Sequence, residues 1–503
     1  MTGKEPGMDA RVDYRDYITG DSELHDVIAL NRRKERTLYS TRQKVHPKLA
    51  HGTYRRLKWI LMAVTLGIYY AVPWLRWERG PDLPNQAVLL DMDHERFFMF
   101  GLEIWPQEFY FVTGLLILAA LTLFLVTSLA GRVWCGYFCP QTVWTDLMIA
   151  VERFWQGDRS ARIRLDKEPW GPSKIAKKTI THVSWLVIGM ATGGAFVFYF
   201  ADAPTLLRQL VSGTAPQAAY IFIGIFTFTT YLLGGIAREQ VCIYMCPWPR
   251  IQGAMIDKDS FLVSYRDGRG EPRGPQRKSE AKADRGDCID CKACIAVCPM
   301  SIDIRDGAQL ECIQCGLCID ACNGIMTRID RPQNLIGYAT IAGLEAEVTG
   351  GTAKPRLFRP RTLLYAGLIA FVGLVMLVAL NARTTLDVNV QPDRNPLFVR
   401  LSDGGIRNGY TVKILNKLHE PHNFEIETDG LPDARLTVAG QKSTAKPIIA
   451  VPTDVLSESR IFVEVPPVSM NKLAPLAQPF SLVVRDAQSG QTVRHATTFR
   501  RPQ

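Results

Sequence analysis

Twelve cysteines carry the chemistry this chain can do, and all fall between Cys135 and Cys322. Eight form one run: Cys288, Cys291, Cys294 and Cys298, the last followed by Pro299, then after a short spacer Cys312, Cys315, Cys318 and Cys322. Each half reads C-x2-C-x2-C-x3-C, the spacing that holds a cubane iron–sulfur cluster, the fourth cysteine of each half ligating the other cluster. This assigns Cys288, Cys291, Cys294 and Cys322 to one [4Fe-4S] cluster, and Cys312, Cys315, Cys318 and Cys298 to a second. Three thiolates on a tight loop reach three irons, while the fourth iron needs a ligand from further away, so the two halves lock each other. Zinc sites usually stop at two C-x2-C pairs and explain the duplicated triplet less well.

The other four cysteines form two C-x3-C-P pairs, Cys135/Cys139-Pro140 and Cys242/Cys246-Pro247. An x3 spacing puts two thiols about one helical turn apart on one face, near enough to bind a metal ion together. The bland alternative is packing of buried cysteines against aromatic neighbours. Recurrence of the pair at matched places favours the metal reading. These are metal and redox spacings that need a reducing compartment, which argues against a secreted disulfide protein.

The elements that must position these groups are legible from hydropathy. The chain has 503 residues, 47% of them hydrophobic, and a net charge of +10, a balance that suggests a membrane protein with basic cytoplasmic parts. Five uncharged runs, Trp59–Leu75, Phe109–Ala130, Val183–Phe200, Ala218–Ala237 and Leu363–Leu380, are each close to the length that crosses a bilayer. No cleavable signal peptide is visible ahead of the first. The loop between the first two runs is acidic, with Asp91, Asp93, Glu95 and Glu103 among others. Those after the second and fourth are basic, with Arg153, Arg159, Arg162, Lys177 and Lys178 in the former. The positive-inside rule therefore places the N-terminus and the ferredoxin run in the cytoplasm and the C-terminus outside. The basic N-terminal arm reads as a solvated segment beside a membrane span, not as a nucleic-acid contact.

The two C-x3-C-P pairs stand at corresponding ends of the second and fourth runs, so the first hairpin echoes the second as an internal duplication would. Residues 251–287, rich in Gly, Pro and charge, read as a linker. Lys354, Arg356, Arg359 and Arg361 anchor the fifth run on the inside. After Leu380 the pattern changes to short alternating runs, Leu386–Val390, Tyr410–Leu415, Phe424–Thr428, Arg460–Val465, Phe480–Val484 and Val493–Phe499, separated by turn signals. This predicts a small antiparallel sandwich of immunoglobulin-like type. The fold class is thus mixed and multi-domain. Residues 1–56 form an N-terminal arm, 57–258 a four-helix membrane domain, 259–362 a linker and two-cluster ferredoxin module, 363–380 a fifth transmembrane helix and 381–503 the β-sandwich.

With these parts in place the chain resembles the cytochrome c oxidase accessory proteins of the CcoG, FixG and RdxA type. The resemblance is carried by Arg132-Val-Trp-Cys-Gly-Tyr-Phe-Cys-Pro-Gln141, by Cys242-Ile-Tyr-Met-Cys-Pro-Trp248, by the ferredoxin run ending Cys322-Asn-Gly-Ile-Met326 and by the C-terminal sandwich. Asn323 departs from the proline that trails many such cysteines. The resemblance implies a multi-pass protein of the bacterial inner membrane that helps assemble cbb3-type oxidase and acts as a cupric reductase. Its expected partners are the lipid bilayer, copper ions and oxidase assembly factors or a copper transporter. A homo-oligomer is compatible with the sequence. Soft thiolates select Cu(I), so Cys135, Cys139, Cys242 and Cys246 are the expected copper ligands and redox residues, with Met245 as a thioether neighbour. His419 and His422 read as solvated. Two other roles compete: a quinol-dehydrogenase-like electron carrier, and an assembly scaffold without redox work.

Overall fold

The structure, a computed structural model, describes residues 27–31, 43–80, 83–274, 285–383, 386–417, 420–441, 443–444, 446–453 and 456–502. The chain forms two compact units, Met1–Met376 and Leu377–Gln503. Five helical segments are long and apolar enough to cross a membrane: Thr53–Trp74, Pro106–Ala130, Pro172–Tyr199, Gln217–Ala237 and Pro360–Asn381.

All five start ahead of the uncharged runs, and two of them, at Thr53 and Pro172, by six residues or more for a local reason. Helix α1 (Thr53–Ala71) begins six residues before Trp59 because the Asp320 carboxylate accepts from the backbone N–H groups of Tyr54 (3.2 Å) and Arg55 (2.7 Å). A carboxylate there satisfies orphan donors and meets the positive helix end. Helix α2 (Tyr110–Ala130) carries no charge and stops at Gly131, whose φ of 59° a side chain disfavours.

Next come α3 (Val133–Tyr137), α4 (Pro140–Gln156) and α5 (Arg159–Lys167). Helix α6 (Pro172–Thr192) is nucleated by Pro172 in its first turn, and so takes in Lys174, Lys177 and Lys178 before its apolar part. After α7 (Ala203–Ser212), helix α8 (Gln217–Thr230) runs on into a π-helical stretch, Tyr231–Ala237, and a second one, Val241–Met245, before α9 (Trp248–Met255). Helix α10 (Asp267–Gly270), α11 (Ala293–Ala296), α12 (Leu317–Arg328) and α13 (Ile341–Val348) belong to the cluster-bearing part. Helix α14 (Pro360–Asn381) follows; Arg359 ahead of it donates to Ser128 O (2.8 Å) and pairs with Asp257.

Two features were not anticipated. The loop between the first two spans folds into a three-stranded antiparallel sheet, β1 (Val88–Asp91), β2 (Arg96–Met99) and β3 (Leu102–Ile104), with Phe98 fully buried beneath Arg79 and Arg96. The stretch expected to be a linker contains β4 (Leu262–Tyr265), which pairs antiparallel with β5 (Ile336–Ala339) beyond the cysteines and closes the cluster-bearing loops at their base. Pro and Gly counts hid a four-residue strand whose partner lies some seventy residues away in sequence.

The second unit holds the expected sandwich. One sheet has the order β10 (Arg435–Val438), β12 (Leu456–Val465), β8 (Ile406–Asn416), β6 (Leu386–Pro392), with β7 (Val399–Arg400) also on β8. The other has the order β11 (Ile448–Val451), β9 (His422–Asp429), β13 (Ala477–Asp486), β14 (Thr492–Arg500). Along β8 the side chains of Ile406, Asn408, Tyr410, Val412 and Ile414 alternate inward, as a half-buried strand requires. Tyr410 sits edge-on to Phe480 at 5.6 Å, and its hydroxyl donates to Thr498 O (2.9 Å), tying the two sheets. The six alternating runs lie within β6, β8, β9, β12, β13 and β14. The short strands β7, β10 and β11 escaped because two to four residues carry too little alternation.

Candidate functional site

The ferredoxin run folds as two matched loops. Asp290 (φ 54°) and Lys292 (φ 56°) in the first correspond to Gln314 (φ 56°) and Gly316 (φ 74°) in the second, each flanking the second cysteine of its triplet. These left-handed residues curl the backbone around the space where thiolates converge. Cys288, Cys294 and Cys322 are buried in one apolar core with Ile289, Ile319, Ile325 and Met326, and Cys291 packs against it. Cys298, Cys312, Cys315 and Cys318 line a second pocket, walled by Ile302, Ile304, Ile313 and Leu317. Cys322 lies near Cys288 and Cys291, and Cys298 near Cys312 and Cys315, so each half lends its last cysteine to the other.

These donors fit iron–sulfur clusters: four sulfurs per site, apolar walls and no competing hard ligand in the pocket lining. Burial pushes the Cys291 thiol up to about 11 and those of Cys298, Cys312 and Cys322 up to about 12. Such thiols keep their protons until bound iron supplies the positive charge that displaces them. Nearby donors temper the sulfurs: Gln314 N–H points at Cys312 Sγ (3.4 Å), and Arg305, paired with Asp303 and Asp290, reaches Cys288 Sγ at 4.0 Å.

The membrane-edge pairs stand directly against the second loop. Cys135 and Cys242 pack on the core formed by Val297, Met300, Ile302, Ile313, Cys315 and Leu317, which Cys298 and Cys312 also touch. Gly136 lets the chains approach this closely, since a Cβ there would lie 2.8 Å from Ile313 O and 3.1 Å from Cys315 Cα. Tyr137 donates to Cys315 O (3.0 Å) and Tyr338 to Gln314 O (2.6 Å). Arg132, only 3% exposed, donates its backbone N–H to Gln314 Oε1 (2.8 Å) and turns its guanidinium to the carbonyls of Leu310, Cys312 and Pro249. One arginine thus fastens the first pair, the second loop and the segment after the second pair.

The two pairs share a backbone design. Gly131 (φ 59°, ψ −124°) stands four residues before Cys135, and Arg238 (φ 49°, ψ −115°) four residues before Cys242. Cys139 and Cys246 are both extended, and each precedes a proline and a helix start, α4 and α9. Counted back from the first cysteine, Arg238 corresponds to Gly131 in sequence as well as in backbone conformation, and Arg132 corresponds to Glu239. A non-glycine residue is strained in this conformation, and Arg238 is held there by Glu152 (2.7 Å), by Gly235 O (2.7 Å) and by the Trp185 ring.

The halves are also stitched together. Cys135 Sγ donates to Gln252 Oε1 on α9 (3.3 Å), and Gln141 on α4 donates to Leu233 O (2.8 Å) and Arg238 O (3.2 Å). Burial first, then the charge of Cys139, pushes the Cys135 thiol up to about 11. Burial, then Cys139, Cys135 and Cys246, pushes Cys242 up to about 12. Cys139 and Cys246 thus lie within electrostatic reach of both Cys135 and Cys242. Among the described residues, no three His, Cys, Asp or Glu side chains converge tightly enough to hold one metal ion. Met245 is 63% exposed beside Cys246. His422 is not solvated as expected: its side chain is largely buried in the sandwich and its Nδ1–H donates to Asp486 Oδ2 (2.8 Å), while His419 lies outside the described residues. Arg132, Gly136, Gln252 and the Glu152–Arg238 pair were missed in the sequence reading, because only contacts distant in sequence give them a role.

Three family models match. A 4Fe-4S dicluster domain covers residues 237–341, a 4Fe-4S binding domain covers 112–156, and the immunoglobulin-like fold at the C-terminus of FixG covers 376–502. Among curated proteins, the nitrogen fixation protein FixG of Rhizobium meliloti is 50% identical over 92% of this chain and 94% of its own length. Protein RdxB of Cereibacter sphaeroides is 51% identical over 92% of this chain and 97% of its own length, and protein RdxA of the same organism is 53% identical over 83% and 89%. The chain therefore belongs to the FixG/RdxA family of multi-pass membrane iron–sulfur proteins.

Proposed function

We propose that this membrane electron-transfer protein delivers its electrons to copper, reducing Cu(II) to Cu(I) in support of cbb3-type oxidase assembly. The observation that carries the reading is the seating of a sulfur-rich membrane edge on the second ferredoxin loop, with Cys135 and Cys242 packed on the core that also holds Cys315. Soft sulfur suits Cu(I), and an electron path that ends beside it needs no further carrier. Cys288, Cys291, Cys294 and Cys322 would hold one [4Fe-4S] cluster, and Cys298, Cys312, Cys315 and Cys318 the other. When bound, such clusters supply one-electron transfer at low potential. The protein's own residues exclude water from these sites with Ile302, Ile304, Ile313 and Leu317, and Arg132 fixes the second loop against the membrane edge. The loop charges favour a cytoplasmic ferredoxin part and a periplasmic sandwich in a bacterial inner membrane.

The test is anaerobic. Purified protein is reduced with dithionite, freed of excess reductant and mixed with Cu(II) and a Cu(I)-specific chelator. About one Cu(I) should appear per reduced cluster, as cluster absorbance returns. Clusters that stay reduced in the presence of Cu(II) would remove copper as the acceptor and leave an electron carrier for another partner.

A further inference from the structure

Four thiols at the membrane edge exceed what a two-coordinate Cu(I) site needs, and their arrangement points to a different occupant. The two C-x3-C-P segments repeat one backbone path, with Gly131 and Arg238 in the same left-handed conformation and Cys139 and Cys246 both extended ahead of a helix. Side chains cross between the halves, from Cys135 to Gln252 and from Gln141 to the carbonyls around Arg238. Cys135 and Cys242, the first cysteine of each pair, pack on one core, and Cys139 and Cys246 follow them at the same offset.

The spacing of those sulfurs is informative. Among the described residues no three of them converge on a single ion, and in this they match the eight ferredoxin cysteines; four thiolates that bind a cubane stand around it and do not meet at one atom. The surroundings suit an anion. Helix α4 begins at Pro140 with Cys139 as its cap, and α9 begins directly after Cys246-Pro247, so the positive end of each helix adjoins the second cysteine of a pair. Buried Arg132 lies within electrostatic reach of Cys135 and Cys246, and its Nε has no hydrogen-bond partner. A cubane held by four thiolates carries net negative charge and sulfurs that accept such a donor. In addition, the 4Fe-4S binding model that matches residues 112–156 contains no cysteines other than Cys135 and Cys139.

We infer that Cys135, Cys139, Cys242 and Cys246 together hold a third [4Fe-4S] cluster, two ligands from each half of the duplicated membrane domain. It rests on the reading of this edge as the exit of the electron path, and gives the thiols to the carrier of the electron instead of to the copper ion. One electron enters the third cluster as the neighbouring one is oxidised, and leaves it when Cu(II) becomes Cu(I).

The full-length chain, purified without oxygen and without added copper, should contain about twelve iron and about twelve sulfide, about four of each per cubane. Reductive titration followed by electron paramagnetic resonance should show three signals. Replacing Cys135 and Cys139 with serine, or Cys242 and Cys246 with serine, should each lower iron to about eight and delete the same single signal. The two signals that remain are the control for folding. A wild-type chain with about eight iron and two signals overturns the inference, as does stoichiometric Cu(I) bound by these four thiols in protein carrying both other clusters. In either of those cases, copper reduction by the dithionite-reduced chain leaves the proposed function standing. Conversely, twelve iron without copper reduction would spare the cluster and remove copper as acceptor.

Discussion

Replacing Glu152 with glutamine should separate the two halves of the membrane domain, and the structure sets the size of the effect. Glu152 is fully buried on α4 and accepts from Arg238 (2.7 Å), Lys44 (2.5 Å) and the fully buried Arg162 (3.4 Å). Burial alone would raise its pKa, but Arg238, Lys44 and Arg162 hold the carboxyl well below the usual range, so it is charged at every pH the protein meets. Glutamine keeps the shape and removes the charge, taking the counter-charge from the buried Arg238 guanidinium and leaving Arg162 with Asp158 at 3.9 Å. Breaking a buried pair in this way costs about 3–5 kcal/mol. Lys44 is 36% exposed and can turn to water, and Arg162 keeps Pro47 O, so the lower end, about 3 kcal/mol, is expected. Much of the loss falls on Arg238, which also sits in a strained conformation worth roughly 1–3 kcal/mol. Adding Arg238→Gly, the residue that the first half carries at this place, removes both the orphan charge and the strain. The double variant should therefore be more stable than Glu152→Gln alone. Thermal unfolding in detergent, followed at cluster absorbance and tryptophan emission, checks both. A Glu152→Gln protein that melts with the wild type, or a double variant weaker than the single one, would refute the account of Arg238 as a strained residue held by its ion pair.

Three further outcomes follow from named contacts. Gly136→Ala places a methyl against the backbone of Ile313 and Cys315, which cannot yield as a side-chain tip would. It should cost about 1–3 kcal/mol and raise hydrogen exchange across residues 310–318, and unchanged exchange there would contradict the close approach. His46 is pushed down to about 4 by burial and by the charges of Lys44 and Arg162, and pairs with Asp166 (3.0 Å) as a neutral imidazole. Its folded pKa lies below its unfolded one, so the unfolded chain takes up the proton first. Stability should fall as pH drops from about 6.5 to about 4, by up to about 3 kcal/mol, and His46→Gln should flatten that slope in melting temperature. Finally, a reporter inserted among residues 275–284 should work only in the cytoplasm and one fused at the C-terminus only outside it; the opposite pattern would invert the proposed orientation.

What could be read from the sequence and what could not differ in range. Cluster ligands repeat every three or four residues, so Cys288–Cys322 announces itself locally, and a membrane span is a property of about twenty neighbours. The duplication of C-x3-C-P was legible for the same reason. The coupling between those motifs was not, because it is made by residues whose own surroundings are unremarkable. Glu152 reads as one acid on an amphipathic helix, and Gln252 as one polar residue after a proline. Their roles arise only when α4 and α9 meet. The case of Arg238 goes further: counted from the first cysteine of each pair it holds the same place as Gly131, yet nothing in the sequence shows that this place needs a positive φ. Both halves need the same backbone reversal four residues before the first cysteine. The first obtains it from glycine without a side chain. The second pays in strain for a buried arginine whose partner, Glu152, belongs to the first. Arg132 is thereby left free of a symmetric twin, and together with Tyr137 it joins the membrane edge to the second ferredoxin loop. The asymmetry falls at the contact between the second loop and the membrane edge, which is where the proposed function puts the electron's exit.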